Sequence, residues 1–325
     1  MLSKIILVAG VSAKHSLQNL QVEQDFMGHV AKYGLSYGTK EEYQFRLGLY
    51  KKTDDEIKRI NSNQTSFTTG HNQFSTYTDA EYDRLLGSKG EEKFDQAAIQ
   101  PLKNVSIPTE WDWRSKGGVN PVQNQGQCGS CWTFSATCSI ESAHWQVSGE
   151  LLKLAEQQIV DCDSTCEGCN GGYATYAMDY VKTQPQELES DYPYTAKDGA
   201  CQWSASKGKV GVQGYKVAKP KSAQGLREAI AEQVVSIRVS ASATSFRQYT
   251  GGIYNDPVCA QTNINHAINA VGYGVQNGTD YFIVRNSWGV GWGDQGYILM
   301  DGSQKGESNG VCLMLEGPSS FPQTN

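Results

Sequence analysis

Residues 125–132 of this 325-residue chain read Gln125-Gly126-Gln127-Cys128-Gly129-Ser130-Cys131-Trp132. They set a thiol, Cys131, directly before a segment with apolar residues at Trp132, Phe134, Ile140 and Trp145. That spacing predicts an amphipathic helix from Trp132 to Val147. A thiol at a helix N-terminus meets the positive end of the macrodipole and unpaired backbone N–H groups, and both favour the nucleophilic thiolate. Such a nucleophile needs a base, and the base needs an orienting group. His266 lies well downstream in Asn265-His266-Ala267-Ile268, and Asn286 follows in Arg285-Asn286-Ser287-Trp288. Both stand at the edges of β-like runs, Ala267–Val275 and Asp280–Val284, where a rigid strand can aim a side chain. Taken singly, each has a plain reading: a core cysteine, a structural histidine, a turn asparagine.

The run from Cys128 to Trp132 fits a Cys-Gly-Ser/Ala-Cys-Trp/Tyr signature, with His and Asn in the expected order. On these motifs the chain resembles the papain-like cysteine proteases, the cathepsin L and H type in particular, over nearly its whole length. The resemblance implies an α+β, papain-like fold of two lobes, one helical and one β-rich, with the active site in the cleft between them. It also implies peptide-bond hydrolysis through a thioester on Cys131. His266 would serve as acid and base, Asn286 would hold its ring, and Trp288 would cover that hydrogen bond. The backbone N–H of Cys131 and the side-chain amide of Gln125 would bind the oxyanion. Nothing resembles the inserted loop of cathepsin B, so an endopeptidase is expected. A catalytically silent, peptide-binding protein of the same fold is the alternative. Retention of Cys131, His266, Asn286 and Gln125 together argues against it.

The elements that position this site follow from the same pattern. Helical patches are predicted near Ala155–Val160, Ala174–Val181 and Leu226–Ala231, and β-branched and aromatic runs broken by Gly prevail from about residue 234. Ahead of the signature, residues 14–106 contain no Cys. Val22 to Tyr33 and Glu41 to Ile60 read as amphipathic helices, with Arg46 at exposed ion-pair spacing from Glu42. This part resembles the family's inhibitory pro-segment, with Glu42, Arg46, Ile57 and Asn61 on its long helix. Tyr50 stands for a Phe and Thr53 for an Asn. Gly70-His71-Asn72-Gln73-Phe74 resembles a second pro-segment motif, whose closing Asp is replaced by Thr76. That replacement removes the carboxyl on which an acid trigger there would rely. Residues 87–106 read as a polar, exposed connector of the kind proteases cut. Trp111-Asp112-Trp113-Arg114 resembles the start of a mature enzyme, giving a catalytic domain over 107–325.

Nine cysteines is an odd number, and Cys131 is the natural free thiol. The resemblance pairs Cys128 with Cys169, Cys162 with Cys201, and Cys259 with Cys312. Cys138 and Cys166 fall outside that pattern. Cys138 lies two helical turns after Cys131 and Cys166 precedes Cys169, so a fourth bridge is open to them. Two C-x2-C pairs also allow a zinc ribbon, but their separation is too long, and a zinc would consume Cys131 while leaving His266 and Asn286 idle. A thioredoxin-type redox pair lacks its βαβ context. No metal and no cofactor are expected.

The resemblance also places a substrate surface. Gly171, Gly172, Tyr173, Ala174, Arg238, Ile264, Asn265 and the region of Glu316 and Gly317 fall where the family receives an extended peptide and the second residue before the scissile bond. Arg238 stands where the family usually has a small or apolar residue. It either pairs with Glu316, serves a polar substrate side chain, or points to solvent.

A short basic start, the apolar run Ile5–Val11 and the small residues Val11-Ser12-Ala13 predict a signal peptide over 1–13. Three sequons, at Asn63, Asn104 and Asn277, suit a secreted glycoprotein. A net charge of −6 gives no basic patch for nucleic acid. No later apolar run is long enough to span a membrane. The expected protein enters the secretory pathway, bound for a lysosome or digestive vacuole or for export. It acts as a monomer on protein and peptide substrates, with its own pro-segment as inhibitor.

Overall fold

A computed structural model describes residues 20–103 and 105–324. The signal peptide over 1–13 and the sequon at Asn104 lie outside the described residues. The helices are α1 (20–32), α2 (Lys40–Asn63), α3 (Asp79–Asp83), α4 (Cys131–Ser148), α5 (Glu156–Cys162), α6 (Ala174–Thr183), α7 (Ala223–Glu232) and α8 (Thr244–Arg247). The strands are β1 (Phe67–Thr69), β2 (Trp111–Asp112), β3 (Gly214–Val217), β4 (Val235–Val239), β5 (Tyr249–Tyr254), β6 (His266–Gln276), β7 (Thr279–Arg285), β8 (Tyr297–Asp301) and β9 (Ser320–Gln323). One sheet runs β1-β5-β8-β7-β6-β4-β9-β3, with β2 also on β6. The β5–β8 pair is parallel and the other ladders are antiparallel.

α4 links two cores. On the helical side, Trp132, Ile140, Ile159, Met178 and Val181 form one apolar cluster. On the sheet side, Ile237, Phe246, Tyr254, Phe282 and Trp292 belong to another. α4 is buried continuously from Cys131 to Ala143, so it lacks the solvent face its apolar spacing suggested. Its hydroxyls make this possible. Ser135 Oγ donates to the Ile268 carbonyl at 2.9 Å, and Asn269 Nδ2 donates to the Ser135 carbonyl at 2.8 Å. Those bonds fasten the helix to β6, five residues or fewer from both Cys131 and His266.

The pro-segment has its own small core of Phe26, Leu47 and Tyr50 between α1 and α2. The motif face of α2 grips the chain that follows it. Thr53 Oγ1 donates to the Ser75 carbonyl at 3.0 Å, Asn61 Nδ2 donates to the Thr69 carbonyl at 2.8 Å, and Tyr50 stacks on His71 at 3.9 Å. Arg46 does pair with Glu42, at 2.7 Å, but it is largely buried and gives its fork to Glu81 at 2.6 Å on both nitrogens. The Arg46 guanidinium, with the Thr78 amide and hydroxyl, holds the Glu81 carboxyl down at about 2. β1 then joins the sheet edge, with Phe67 opposite Gly252. The pro-segment thus docks partly as an added strand.

One expectation needs correction, and one alternative left open is decided. Residues 93–103 are mostly exposed, as anticipated, but Gly87, Ser88 and Glu92 are buried. The start of the presumed connector lies inside the cleft, because the chain must cross it to reach the catalytic part. Cys138 and Cys166 do not form a bridge; both are free thiols along with Cys131. Cys138 faces the sheet-side core and Cys166 packs against the helical-side core, on opposite sides of α4. The other three bridges form as implied: Cys128–Cys169, Cys162–Cys201 and Cys259–Cys312. Since Cys128 and Cys169 are joined, no four-thiolate zinc ribbon remains.

Candidate active site

Cys131 is the first residue of α4 and is fully buried. Ser130 precedes it, but its hydroxyl bonds Tyr194 Oη at 2.6 Å rather than capping the helix. The Thr133 amide donates to the Ser130 carbonyl at 2.9 Å, and of the first turn the Trp132 amide is the one that acts on the thiol. His266 opens β6, and its Nε2 lies 2.8 Å from Asn286 Oδ1. Asn286 follows β7, which pairs with β6, so one ladder sets both side chains. The Ser287 amide also donates to Asn286 Oδ1 at 2.8 Å, which fixes that oxygen as acceptor and Nε2 as the protonated ring nitrogen. His266 Nδ1 is buried without a hydrogen-bond partner and remains available as a base. Trp288 stacks on the imidazole at 4.5 Å and seals it from water.

Gln125 is buried, and its carbonyl accepts from Ser287 Oγ at 2.8 Å. Its Nε2 donates to the Cys128 carbonyl at 2.8 Å and to the Leu85 carbonyl at 2.9 Å. Leu85 belongs to the pro-segment, so a foreign carbonyl oxygen already sits on this amide.

The pro-segment then continues along the cleft. The Gly172 amide donates to the Gly87 carbonyl at 2.8 Å, and the Ser88 amide donates to the Asn265 carbonyl at 3.0 Å. Gly87 has no alternative: a Cβ there would lie 1.6 Å from the Gly129 carbonyl oxygen. Gln73 Nε2 donates to the Trp288 carbonyl at 2.7 Å, and Phe74 and Tyr82 pack edgewise on the Trp288 ring.

This cover sets the electrostatics. Burial pushes the Cys131 thiol up, and nearby amides and the Arg238 charge offset this only in part. Burial also brings His266 down to about 4, against a smaller opposing effect from Asn286. In the covered site both groups are held neutral, so the thiolate expected from the helix start alone is suppressed by desolvation.

The predicted substrate residues assemble around the same path. Gly171 and Gly172 line the backbone track, and the Tyr173 hydroxyl donates to the Lys89 carbonyl at 2.7 Å. Ala174 starts α6 beside them. Ile264 and Arg238 face Gly317, each 3.6 Å from where a Cβ on that glycine would stand. Asn265 supplies its carbonyl to Ser88 and braces the Ala241 amide through Oδ1 at 2.9 Å. Arg238 neither pairs with Glu316 nor points to solvent. Its salt bridge is with Glu92, at 3.5 Å. Sequence reasoning missed Leu85, Gly87, Ser88, Glu92 and Ser287. Their roles depend on where the chain crosses the cleft, and no local pattern marks that.

Residues 107–319 match the papain family cysteine protease, and residues 26–82 match the cathepsin propeptide inhibitor domain. The chain is 36% identical over 322 residues to Cysteine proteinase 5 of Dictyostelium discoideum, covering 91% of this chain and 92% of that protein. It is 37% identical over 297 residues to Digestive cysteine proteinase 2 of Homarus americanus, covering 88% and 92%. The structure of digestive procathepsin L2 from Tenebrio molitor larval midgut matches with a TM-score of 0.85 at 30% identity, over 93% of this chain and 99% of that one.

The chain belongs to the papain family of cysteine proteases and carries a cathepsin-type propeptide inhibitor domain. It is a cysteine endopeptidase made as a zymogen. Among the described residues no helix is long and apolar enough to cross a membrane. Digestive relatives accord with a protein of the secretory pathway.

Proposed function

We propose that Cys131, His266, Asn286 and Gln125 carry the reaction. The observation that supports this reading most is the pro-segment main chain laid across these groups, with its Leu85 carbonyl on Gln125 Nε2. Cys131 Sγ attacks the peptide carbonyl carbon after His266 Nδ1 takes the thiol proton. The oxyanion is held by Gln125 Nε2 and the Cys131 amide. His266 returns the proton to the leaving amine, the C–N bond breaks, and a thioester remains on Cys131. Water then gives a proton to His266 and attacks the thioester carbonyl. The C–S bond breaks, and the proton returns to sulfur. Gly171, Gly172, Tyr173, Ala174, Arg238, Ile264, Asn265 and Trp288 bind the substrate.

The domain boundaries proposed are a signal peptide over 1–13, a pro-segment over 14–106 and a catalytic domain over 107–325. The two family matches, which leave 83–106 between them, support the second boundary. The enzyme works as a monomer in a lysosome or digestive vacuole, or after secretion; three disulfides and the digestive relatives support that setting. The test is direct. The zymogen is activated at acid pH and offered a peptide library with and without a thiol alkylator. Cleavage that survives alkylation of Cys131 defeats the reading.

A further inference from the structure

Arg238 lies in the cleft wall with only 4% of its surface exposed, on a strand where every residue is buried. Each polar partner of its side chain comes from residues 88–92. Nε donates to Ser88 Oγ at 2.9 Å, and Nη2 donates to the carbonyls of Ser88 and Gly90 at 2.7 and 2.9 Å. Nη1 lies 3.5 Å from the Glu92 carboxylate. Glu92 is itself buried, and its other oxygen accepts from Thr175 Oγ1 at 2.6 Å. The part of the chain that matches the protease family contributes the Tyr173 ring, 5.0 Å from the guanidinium, and no ion-pair partner. Glu316 lines the same cavity but forms no ion pair with Arg238.

All of those polar partners leave with the pro-segment. A guanidinium cannot shed its proton, and a buried one without a counter-charge is costly. The emptied pocket therefore offers a fixed positive charge, an aromatic face and the Thr175 hydroxyl, arranged as they now hold one carboxylate.

We propose that this pocket selects an acidic substrate side chain, Glu above all, and that Glu92 is its built-in surrogate. The inference rests on the peptidase reading above. A peptide bound to the Gly172 amide and the Asn265 carbonyl, as the pro-segment is, delivers one side chain to Arg238. By the assignment above, that is the second residue before the scissile bond.

The test uses the mature enzyme and peptides that differ only at that position. In kcat/KM, Glu should exceed its neutral isostere Gln by about tenfold near about pH 6.5. The ratio should fall toward one near about pH 4, where the substrate carboxyl protonates. The enzyme's own titration cancels in the ratio. Arg238→Ala should bring the ratio to one and raise Leu and Phe relative to Glu. The pH series on the unaltered enzyme stands even where that variant zymogen does not fold. Alkylator-sensitive turnover that is indifferent to Glu against Gln at every pH overturns this proposal alone, as when Glu316 captures Arg238. No alkylator-sensitive turnover of any peptide overturns the peptidase reading and this one with it.

Discussion

The Leu85 carbonyl oxygen accepts a hydrogen bond from Gln125 Nε2 at 2.9 Å. In the proposed mechanism this occupies the oxyanion amide, so the zymogen would be silenced there as well as by the chain lying over the thiol. Ser287 Oγ fixes the other end of that amide, so its donor direction is set by the fold and does not depend on what occupies it.

Gln125→Ala should lower kcat of the mature enzyme by about 10²–10³-fold, with a smaller change in KM. Steady-state kinetics on one peptide reads both. An equal loss carried wholly in KM would place Gln125 in ground-state binding instead.

Gly87→Ala should break latency. The added Cβ would sit 1.6 Å from the Gly129 carbonyl oxygen, a backbone atom that cannot swing aside, so the pro-segment must lift. Unprocessed zymogen of this variant should hydrolyse small peptides at neutral pH, where the parent zymogen is inert. Equal latency in the two would show that residue 87 is not what shuts the cleft.

Acid should loosen the pro-segment through His29 and His71. Burial brings His29 down to about 4, with His71 and Lys32 adding smaller effects, and burial lowers His71 against an opposing pull from Asp54. Asp25, which also pulls His71 up, and Tyr33, Tyr50 and Lys58 stand around them. Groups buried neutral bind fewer protons folded than unfolded. Docking is thus complete above the ordinary histidine value of about 6.5, and is lost as pH falls from there toward about 4. His29→Phe keeps the packing and removes one titration. Its self-processing should need a lower pH than the parent, followed by gel over a pH series.

Cys131 should change character on maturation. In the zymogen, burial holds the thiol up and His266 down, so alkylation should be slow at neutral pH. Once uncovered, the pair should regain solvent, and the rate against pH should become bell-shaped. Alkylation rates that match before and after processing would contradict this. Cys131→Ala should abolish turnover and leave a folded, unprocessed zymogen. Cys128→Ala should instead cost about 2–5 kcal/mol of stability by breaking its bridge, measured by denaturant melts.

Thiol titration of the denatured, unreduced protein should count Cys131, Cys138 and Cys166 as free. A single reactive thiol would mean that Cys138 and Cys166 do pair.

The sequence by itself determined the elements and the chemical groups. The apolar spacing from Trp132 to Trp145 predicted the helix at the thiol, and the β-like runs beside His266 and Asn286 are β6 and β7. These were legible because helix starts and strand edges are local patterns, set by neighbours a few residues away. The three bridges followed from resemblance, and Cys138 stayed ambiguous because spacing does not say which side of a helix meets which core. Only the tertiary structure decided that α4 is buried nearly all round and that Arg46 prefers Glu81. It also decided that the supposed connector enters the cleft and that Arg238 answers Glu92 and not Glu316. Each of these depends on two segments far apart in the chain meeting with both desolvated. Burial then sets the protonation of Cys131 and His266 against what the helix dipole alone would give. Desolvation belongs to the packed whole, and no window of residues carries it.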